Sequence, residues 1–292
     1  MADKLIAPAK VNLALRVLGK KIIPPFQHYH LIQSLVVFAA MGDTITITRA
    51  NTGGVRLIVS GTIDYALLDN NNNSITRTIR LCEQYSDQKF HGHIHVEKNI
   101  PLGGGLGGGT SDAIALLRYL ARRWSIPLAD QQKLAAEIGA DGPVILYGQS
   151  ALVSGIGDVI APFFPPAWLL TASLLLISGG QHCPTDKIFA LKNTSSTLPG
   201  GAWDQPINNS EDKQEWRNGL MAAAMTLHPS LAHLDQLVGA QENCLHHGMS
   251  GSGGCFYALF ADNDSAITAA HNLRAQQLWV AITQVQQPEQ AG

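Results

Sequence analysis

The chain has 292 residues, of which 46% are hydrophobic and 14% are charged, with a formal net charge of −2 at pH 7. This length allows two packed domains, and the near-zero charge gives no general attraction for nucleic acid. The four cysteines form no CxxC pair, which disfavours a disulfide framework and a zinc ribbon. The apolar stretches are too short or too interrupted by charge for a signal peptide or a membrane helix. The composition therefore predicts a cytoplasmic protein with no nucleic-acid or membrane partner.

The N-terminal part of the chain has the pattern of a β-rich layer. Alternating or β-branched runs occupy residues 11–18, 31–39 and 43–48. A polar run ending at Asn73 precedes apolar residues at helical spacing from Ser74 onward, which predicts a helix with an Asn or Ser cap.

Three histidines recur at every second residue of the next alternating segment, residues 91–97, which predicts a strand. His91, His93 and His95 would share one face of it. The sequence supplies neither a fourth ligand nor a supporting carboxylate for a metal ion. We therefore interpret these histidines as an exposed polar face.

A glycine cluster follows this strand and precedes two predicted helices. Apolar residues at i, i+3 and i+4 predict one amphipathic helix from about Ser111 to Trp124 and a second over residues 128–138, ending at Gly139. The apolar run at residues 144–147 predicts a further strand, which would place Asp141 in a turn.

The second half of the chain gives weaker signals. The apolar stretch 167–177 predicts one or two buried strands, and residues 193–213 have the composition of a loop. Residues 216–227 and 230–244 are predicted to be helical, and residues 255–260 to form a strand.

The glycine cluster carries the strongest chemical signal. Consecutive glycines between a strand and a helix let backbone N–H groups converge on a phosphate at the positive end of the helix dipole. A P-loop is disfavoured because no GK[ST] follows. Gly103, Gly105 and Gly108 satisfy GxGxxG, but residues 126–130 lack the strand and terminal acid of a dinucleotide site. A flexible linker is disfavoured between two regular elements.

Three polar residues, Asp141, Lys10 and Asn12, are candidates for a functional site because of the residues around them. Asp141 lies among glycines and a proline, where an aspartate is often only a turn former. Lys10 and Asn12 interrupt an apolar strand, where a cation and an amide each need a partner.

Together these fragments resemble the galactokinase, homoserine kinase, mevalonate kinase and phosphomevalonate kinase (GHMP) superfamily. Its three motifs occur here in order as Pro8–Leu13, Pro101–Ala113 and Met249–Cys255. Residues 29–38 and the doubled glycine loop are similar to the superfamily members that phosphorylate a cytidine-diphosphate-linked methylerythritol. The chain departs from their pattern at Gln27-His28, where Asp-Gly is usual, and at Gly142, where Val is usual.

The resemblance implies an α+β fold of two domains, with the active site in the cleft between them. It implies a nucleotide-binding domain over residues 1–155 and a substrate-binding domain over residues 156–292. The implied cofactors are ATP and Mg²⁺, the latter near Thr110 and Ser111. The implied acceptor is a small molecule with a cytidine diphosphate group, phosphorylated on its 2-hydroxyl in non-mevalonate isoprenoid biosynthesis.

The resemblance also assigns residues. It implies Lys10 and Asp141 as the catalytic pair, with Asp141 accepting the hydroxyl proton and Lys10 supporting it. The nucleotide side would be formed by Asn73, Lys98, Pro101, Leu102, Gly103, Gly104, Gly105, Leu106, Gly107, Gly108, Gly109, Thr110 and Ser111. The substrate side would be formed by Asn12, Tyr29, His30, Thr185 and Phe189, with Tyr29 and Phe189 on either side of the cytosine. Open alternatives are a homoserine or mevalonate-type kinase and a nucleotide-binding module without catalysis.

Overall fold

The structure is a computed structural model that describes residues 2–20, 29–61, 73–194, 207 and 211–286. The chain divides into two compact units, each assembled from several stretches of sequence. The first unit comprises Met1–Ala9, Met41–Pro101 and Gly107–Gly148. The second unit comprises Lys10–Ala40, Leu102–Leu106 and Gln149–Gly292.

Two long paired strands contribute residues to both units, namely β1 (Asp3–Lys20) and β2 (His30–Arg49). The other elements of the first unit are β3 (Val55–Gly61), α1 (Ser74–Ser86), β4 (Gly92–Lys98), α2 (Gly108–Trp124), α3 (Leu128–Ile138) and α4 (Gly142–Tyr147). The second unit adds β5 (Ala151–Gly155), β6 (Val159–Pro162), α5 (Ala167–Thr171), β7 (Ser173–Ser178), α6 (Thr185–Thr194), α7 (Met221–Leu227), α8 (Ser230–Gly239), β8 (Cys244–Ser250), β9 (Cys255–Phe260), α9 (Asn263–Arg274) and β10 (Trp279–Gln284). The mixture of sheets and helices confirms the predicted α+β class.

In the first unit, β4 pairs antiparallel with the end of β2 and parallel with β3. Ile94 and Val96 of β4 are buried, whereas His93 and His95 point to the exposed face. The predicted polar face is therefore confirmed. Among the residues that the structure describes, no group of three His, Cys, Asp or Glu side chains could hold a metal ion.

The helices of the first unit pack against one another and bury their apolar faces. Asn73 caps α1 as predicted, since its side chain accepts a hydrogen bond from the Thr76 N–H at 3.0 Å. Helix α2 buries the residues that the 3.6-residue period had marked, among them Ala113, Leu116 and Leu120. Within the described ranges, no helix is long and apolar enough to cross a membrane.

In the second unit, β10, β7, β9 and β8 form an antiparallel sheet in that order. Every residue of β7 and β9 is buried, and alternate residues such as Leu175 and Phe256 lie in one apolar core with helices α7, α8 and α9. The predicted strand at residues 255–260 is confirmed. The first part of β2 separately pairs with β5, and β5 pairs with β6.

One predicted strand was wrong, and another was correct only in its second half. Residues 144–147 lie in helix α4, because Pro143 stands in its first turn and Gly148 ends it at φ +75°. The stretch 167–177 begins as helix α5 after Pro166 and becomes a strand only from Ser173. In these segments, the prolines at the helix starts and the glycine after α4 indicate the secondary structure better than the apolar content does.

Two predicted helices were too long. The helix predicted over 230–244 ends at Gly239, and strand β8 begins at Cys244. The helix predicted over 216–227 starts only at Met221. The predicted loop at 193–213 lies largely outside the described residues, as does the Gln27-His28 pair.

Candidate active site

The second half of the glycine loop leads directly into helix α2. Gly107 precedes this helix with φ +70°, a left-handed conformation that glycine adopts without strain, and its carbonyl accepts the Ser111 N–H at 2.8 Å. A Cβ atom at Gly108 would lie 3.3 Å from a carboxylate oxygen of Asp43. The loop therefore presents the first N–H groups of a 17-residue helix, as the phosphate-binding interpretation requires.

A buried ion triad that the sequence analysis missed lies beneath this helix start. Lys98 donates to a carboxylate oxygen of Asp43 and, at 2.6 Å, to one of Asp112. All three side chains are at most 5% exposed. The other oxygen of Asp43 accepts the Ile100 N–H at 2.9 Å, which anchors the strand-to-loop connection.

The triad holds two carboxylates and one ammonium group in a buried position. Burial, reinforced by the charge of Asp43, raises the pKa of Asp112 to about 7 despite the opposing effect of Lys98. Burial alone would lower the pKa of Lys98, but the attraction of Asp112 and Asp43 raises it overall. Lys98, predicted to be on the nucleotide side, therefore has its ammonium group engaged by two carboxylates.

Two buried oxygen atoms at the triad have no hydrogen-bond partner among the residues that the structure describes. The Ser111 hydroxyl and the second carboxylate oxygen of Asp112 are both buried without a hydrogen bond within the described part of the chain. Buried polar atoms of this kind normally have a partner, and an unpaired one requires an explanation. Both belong to adjacent residues at the start of α2.

Asp141, the predicted catalytic carboxylate, lies at the start of helix α4. Its backbone carbonyl accepts the Ile145 N–H at 3.1 Å, and its residue surface is half-buried. The neighbouring Gly142 has a structural reason in this chain: a Cβ atom there would lie 1.9 Å from the Ala135 carbonyl oxygen of α3. Glycine therefore allows α3 and α4 to approach at the point where the related pattern usually has valine.

In the second unit, the predicted polar pair of strand β1 finds partners. Lys10 is 3% exposed, and its ammonium group donates to the Asn12 side-chain oxygen at 2.5 Å. The Asn12 side-chain nitrogen donates to the Ser34 hydroxyl at 2.7 Å, and that hydroxyl donates to the Ala14 carbonyl at 2.7 Å. This network fixes the position of the Lys10 ammonium group.

The three sequence motifs meet in the second unit through Ser250. Its hydroxyl accepts the Asn12 N–H at 3.1 Å and donates to the Gly105 carbonyl at 3.0 Å. A Cβ atom at Gly105 would lie 2.2 Å from the Ser250 carbonyl oxygen, so only glycine permits this approach. Asn218, which no sequence signal had marked, bridges the carbonyls of Met249 and Gly251 at 2.9 and 2.8 Å.

The predicted substrate residues also lie in the second unit. The rings of His30 and Phe189 are 4.7 Å apart and tilted by 34°, whereas Tyr29 is 49% exposed. Thr185 shares a 3.1 Å hydrogen bond with Ser252 of the third motif. His30, Phe189 and Thr185 thus lie in contact with other candidate residues, while the pairing of Tyr29 with Phe189 stays a prediction.

Comparison with family models defines the class of protein. Residues 73–149 match the model of the GHMP kinases N terminal domain, and residues 209–277 match that of the GHMP kinases C terminal region. These matches confirm the superfamily that the three motifs had predicted.

Curated relatives narrow this class. A protein of Parvibaculum lavamentivorans named 4-diphosphocytidyl-2-C-methyl-D-erythritol kinase is 34% identical over 279 residues, covering 92% of each chain. A protein of the same name from Paramagnetospirillum magneticum is 34% identical, covering 96% of this chain and 97% of its own. The chain therefore belongs to the 4-diphosphocytidyl-2-C-methyl-D-erythritol kinase family.

Solved structures agree with this assignment. A crystal structure of 4-(cytidine 5'-diphospho)-2C-methyl-D-erythritol kinase matches with a TM-score of 0.77 at 25% identity, covering 98% of this chain and 100% of that chain. A homoserine kinase from Cytophaga hutchinsonii matches with a TM-score of 0.64 at 16% identity, covering 97% and 95% of the two chains. The second match supports the fold alone.

Proposed function

We propose that this chain transfers the γ-phosphoryl group of ATP to the 2-hydroxyl of 4-diphosphocytidyl-2-C-methyl-D-erythritol. The observation that carries the proposal is the meeting of the three motifs at Ser250, where Asn12 and the glycine loop share one hydroxyl group. The similarity to named relatives along nearly the whole chain supports the same acceptor. The reaction would take place in the cytoplasm, in the precursor pathway of isoprenoids.

The roles follow from the chemistry of phosphoryl transfer. The transition state is loose, so the protein mainly positions two substrates and stabilises charge. Asp141 would accept the proton of the acceptor hydroxyl, and Lys10, oriented by Asn12 at 2.5 Å, would stabilise the negative charge on the reacting oxygen. The N–H groups of the glycine loop and the first turn of α2 would hold phosphate oxygens.

Mg²⁺ fits the residues at the start of α2. This ion prefers oxygen ligands, and the buried Ser111 hydroxyl and Asp112 carboxylate oxygen have no partner within the described residues. We propose that these two side chains, with Thr110 beside them, support the ion. When bound, Mg²⁺ would neutralise part of the phosphate charge.

The acceptor is tested by measuring ADP release with three alcohols in parallel. Turnover with 4-diphosphocytidyl-2-C-methyl-D-erythritol at least about 100-fold above that with homoserine or mevalonate supports the proposal. Preference for either of the other alcohols would assign a different kinase. Binding of ATP without transfer to any of them would indicate a nucleotide-binding module.

The catalytic carboxylate is tested by Asp141→Asn, which keeps the shape of the side chain but removes the base. We expect kcat to fall by about 10²- to 10⁴-fold. Asp264→Asn, at an exposed position in the first turn of α9, is the matched control and should retain wild-type turnover. Wild-type turnover in Asp141→Asn, with an unchanged thermal transition, would contradict the mechanism.

A further inference from the structure

A segment between β7 and α6 lies against the first half of the glycine loop in the second unit. The Cys183 N–H donates to the Gly103 carbonyl at 3.4 Å. A Cβ atom at Gly254 would lie 2.5 Å from the Gln181 carbonyl oxygen and 3.0 Å from the Gly104 Cα atom. Residues 181–183 therefore form a wall where the glycine loop and the third motif meet.

His182, in the middle of this segment, places its imidazole ring directly on Gly103. A Cβ atom at Gly103 would lie 1.8 Å from His182 Nδ1 and 2.5 Å from Cε1. The ring occupies the space that a side chain at position 103 would need. Gly103 also has φ +62°, a conformation that favours glycine.

The backbone of His182 is held in place while its side chain stays accessible. The His182 carbonyl accepts a hydrogen bond from His228 Nε2 at 2.9 Å. Both His182 and Gly103 are exposed, so a ligand that lies on the loop can reach the ring. An imidazole can donate a hydrogen bond in either of its charge states.

We propose that His182 is a phosphate-contacting residue of this kinase, donating a hydrogen bond to a phosphoryl oxygen held over the first half of the glycine loop. This inference rests on the proposed function, which places phosphates at the loop. The loop is followed by Thr110-Ser111, and the lysine that completes a P-loop is absent from the sequence at this position. A hydrogen bond from the His182 side chain would replace part of the phosphate contact that the lysine makes in a P-loop.

Two phosphate groups could take this hydrogen bond. Gly103 belongs to the predicted nucleotide side, whereas Thr185, three residues beyond His182, belongs to the predicted acceptor side. The triphosphate of ATP and the diphosphate of the acceptor present the same oxygens. Separate titrations of the two substrates distinguish them.

The test compares His182→Ala, His182→Gln and the control His233→Ala, which lies at an exposed position of α8 in the same unit. We expect His182→Ala to raise KM for one of the two substrates by about 10-fold or more, as for loss of a hydrogen bond to a charged group. The affected substrate identifies the phosphate. His182→Gln retains a donor and should recover part of the loss, and His233→Ala should match the wild type.

Calorimetric titration with ADP and with CDP measures the same contact without turnover. A weaker Kd for one of them in His182→Ala, with His182→Gln between the variant and the wild type, supports the proposal. Unchanged Kd and KM values would overturn it, and tighter binding would show instead that the ring obstructs the loop. A wild-type protein that releases no ADP would contradict the proposed function, while the titrations would still decide the role of His182.

Discussion

Among the residues that the structure describes, each unit buries one lysine to the same extent, and the two lysines donate hydrogen bonds to different residues. Lys98 and Lys10 are both 3% exposed. Lys98 lies between the carboxylates of Asp43 and Asp112, whereas the Lys10 ammonium group is oriented by the neutral side-chain oxygen of Asn12. The comparison teaches that equal burial does not give a lysine the same role, and we propose that Lys98 supports the fold whereas Lys10 takes part in the chemistry.

The largest effect is expected from Lys98→Met, which would leave two buried carboxylates without a cation. We expect the free energy of unfolding to fall by about 3–5 kcal/mol, the usual cost of breaking a buried ion pair. Urea denaturation measures it. Lys133→Met, at a lysine side chain that is 78% exposed, should change stability by less than about 1 kcal/mol. Equal stability of Lys98→Met and Lys133→Met would show that the buried Lys98 does not stabilise the fold.

Lys10→Met in the second unit should lower activity more than stability. Lys10→Met keeps the length of the side chain but removes a charge proposed to act on the reacting oxygen. We expect kcat to fall by about 10²- to 10³-fold, with a smaller loss of stability than in Lys98→Met. Steady-state ADP release and urea denaturation measure the two quantities. Lys4→Met, at an exposed position of the same strand β1, is the control. Stability lost without activity would assign Lys10 to the fold.

Gly142 lies next to Asp141 in the first unit, where helices α3 and α4 approach closely. Gly142→Val would introduce the residue that the related pattern usually has, at a position where a Cβ atom meets the Ala135 carbonyl oxygen at 1.9 Å. We expect a loss of about 1–3 kcal/mol from overpacking, measured by thermal unfolding. Gly139→Ala is the milder control, because a Cβ atom there makes ordinary contacts of 3.4 Å with Thr110. Neutral behaviour of Gly142→Val would mean that α4 shifts away from α3 without cost.

A partly exposed ion pair gives the smallest expected effect. His247 Nε2 lies 3.2 Å from a carboxylate oxygen of Asp235, and hydrogen bonding to Asp235 and Cys244 raises the pKa of His247 to about 9. Because the folded-state pKa is the higher one, this stabilisation is complete below about pH 6.5 and is lost as the pH rises through about 9.

Asp235→Asn should therefore lower the free energy of unfolding by about 1 kcal/mol at pH 6, a figure reduced for the exposure of both groups. At pH 10 the variant and the wild type should differ much less. Urea denaturation at the two pH values measures this. An equal loss at both values would mean that Asp235 acts through packing and not through charge.

The parts of the structure that local signals determine were predicted well from the sequence. The 3.6-residue period marked α2, the period and Gly139 gave α3 its bounds, and Asn73 caps α1 as expected. The interruption of an apolar strand by Lys10 and Asn12 correctly indicated that both need partners. Residues 144–147 were assigned to the wrong element because their apolar character does not distinguish a short buried helix from a strand.

The parts that depend on distant pairing could not be predicted in the same way. Lys98 meets Asp43 across 55 positions of sequence, and a lone aspartate at the start of a predicted strand has many explanations. Asn218 bridges backbone carbonyls more than 30 positions away, and it lies in a segment whose sequence predicted only a helix. No sequence pattern indicated His182, because its contact with Gly103 is formed only in the folded chain.

The Ser250 hydroxyl joins three stretches that are far apart in the chain, since it bonds with Asn12 and Gly105 at once. Loss of the Ser250 hydroxyl would leave the Asn12 N–H and the Gly105 carbonyl without this partner, and a side chain at Gly105 would collide with the Ser250 carbonyl. The mutational effects at these three positions should therefore be strongly non-additive, as for residues that share one hydrogen-bond network. In the course of divergence, these positions are expected to change together, with a compensating change at one making room for a change at another.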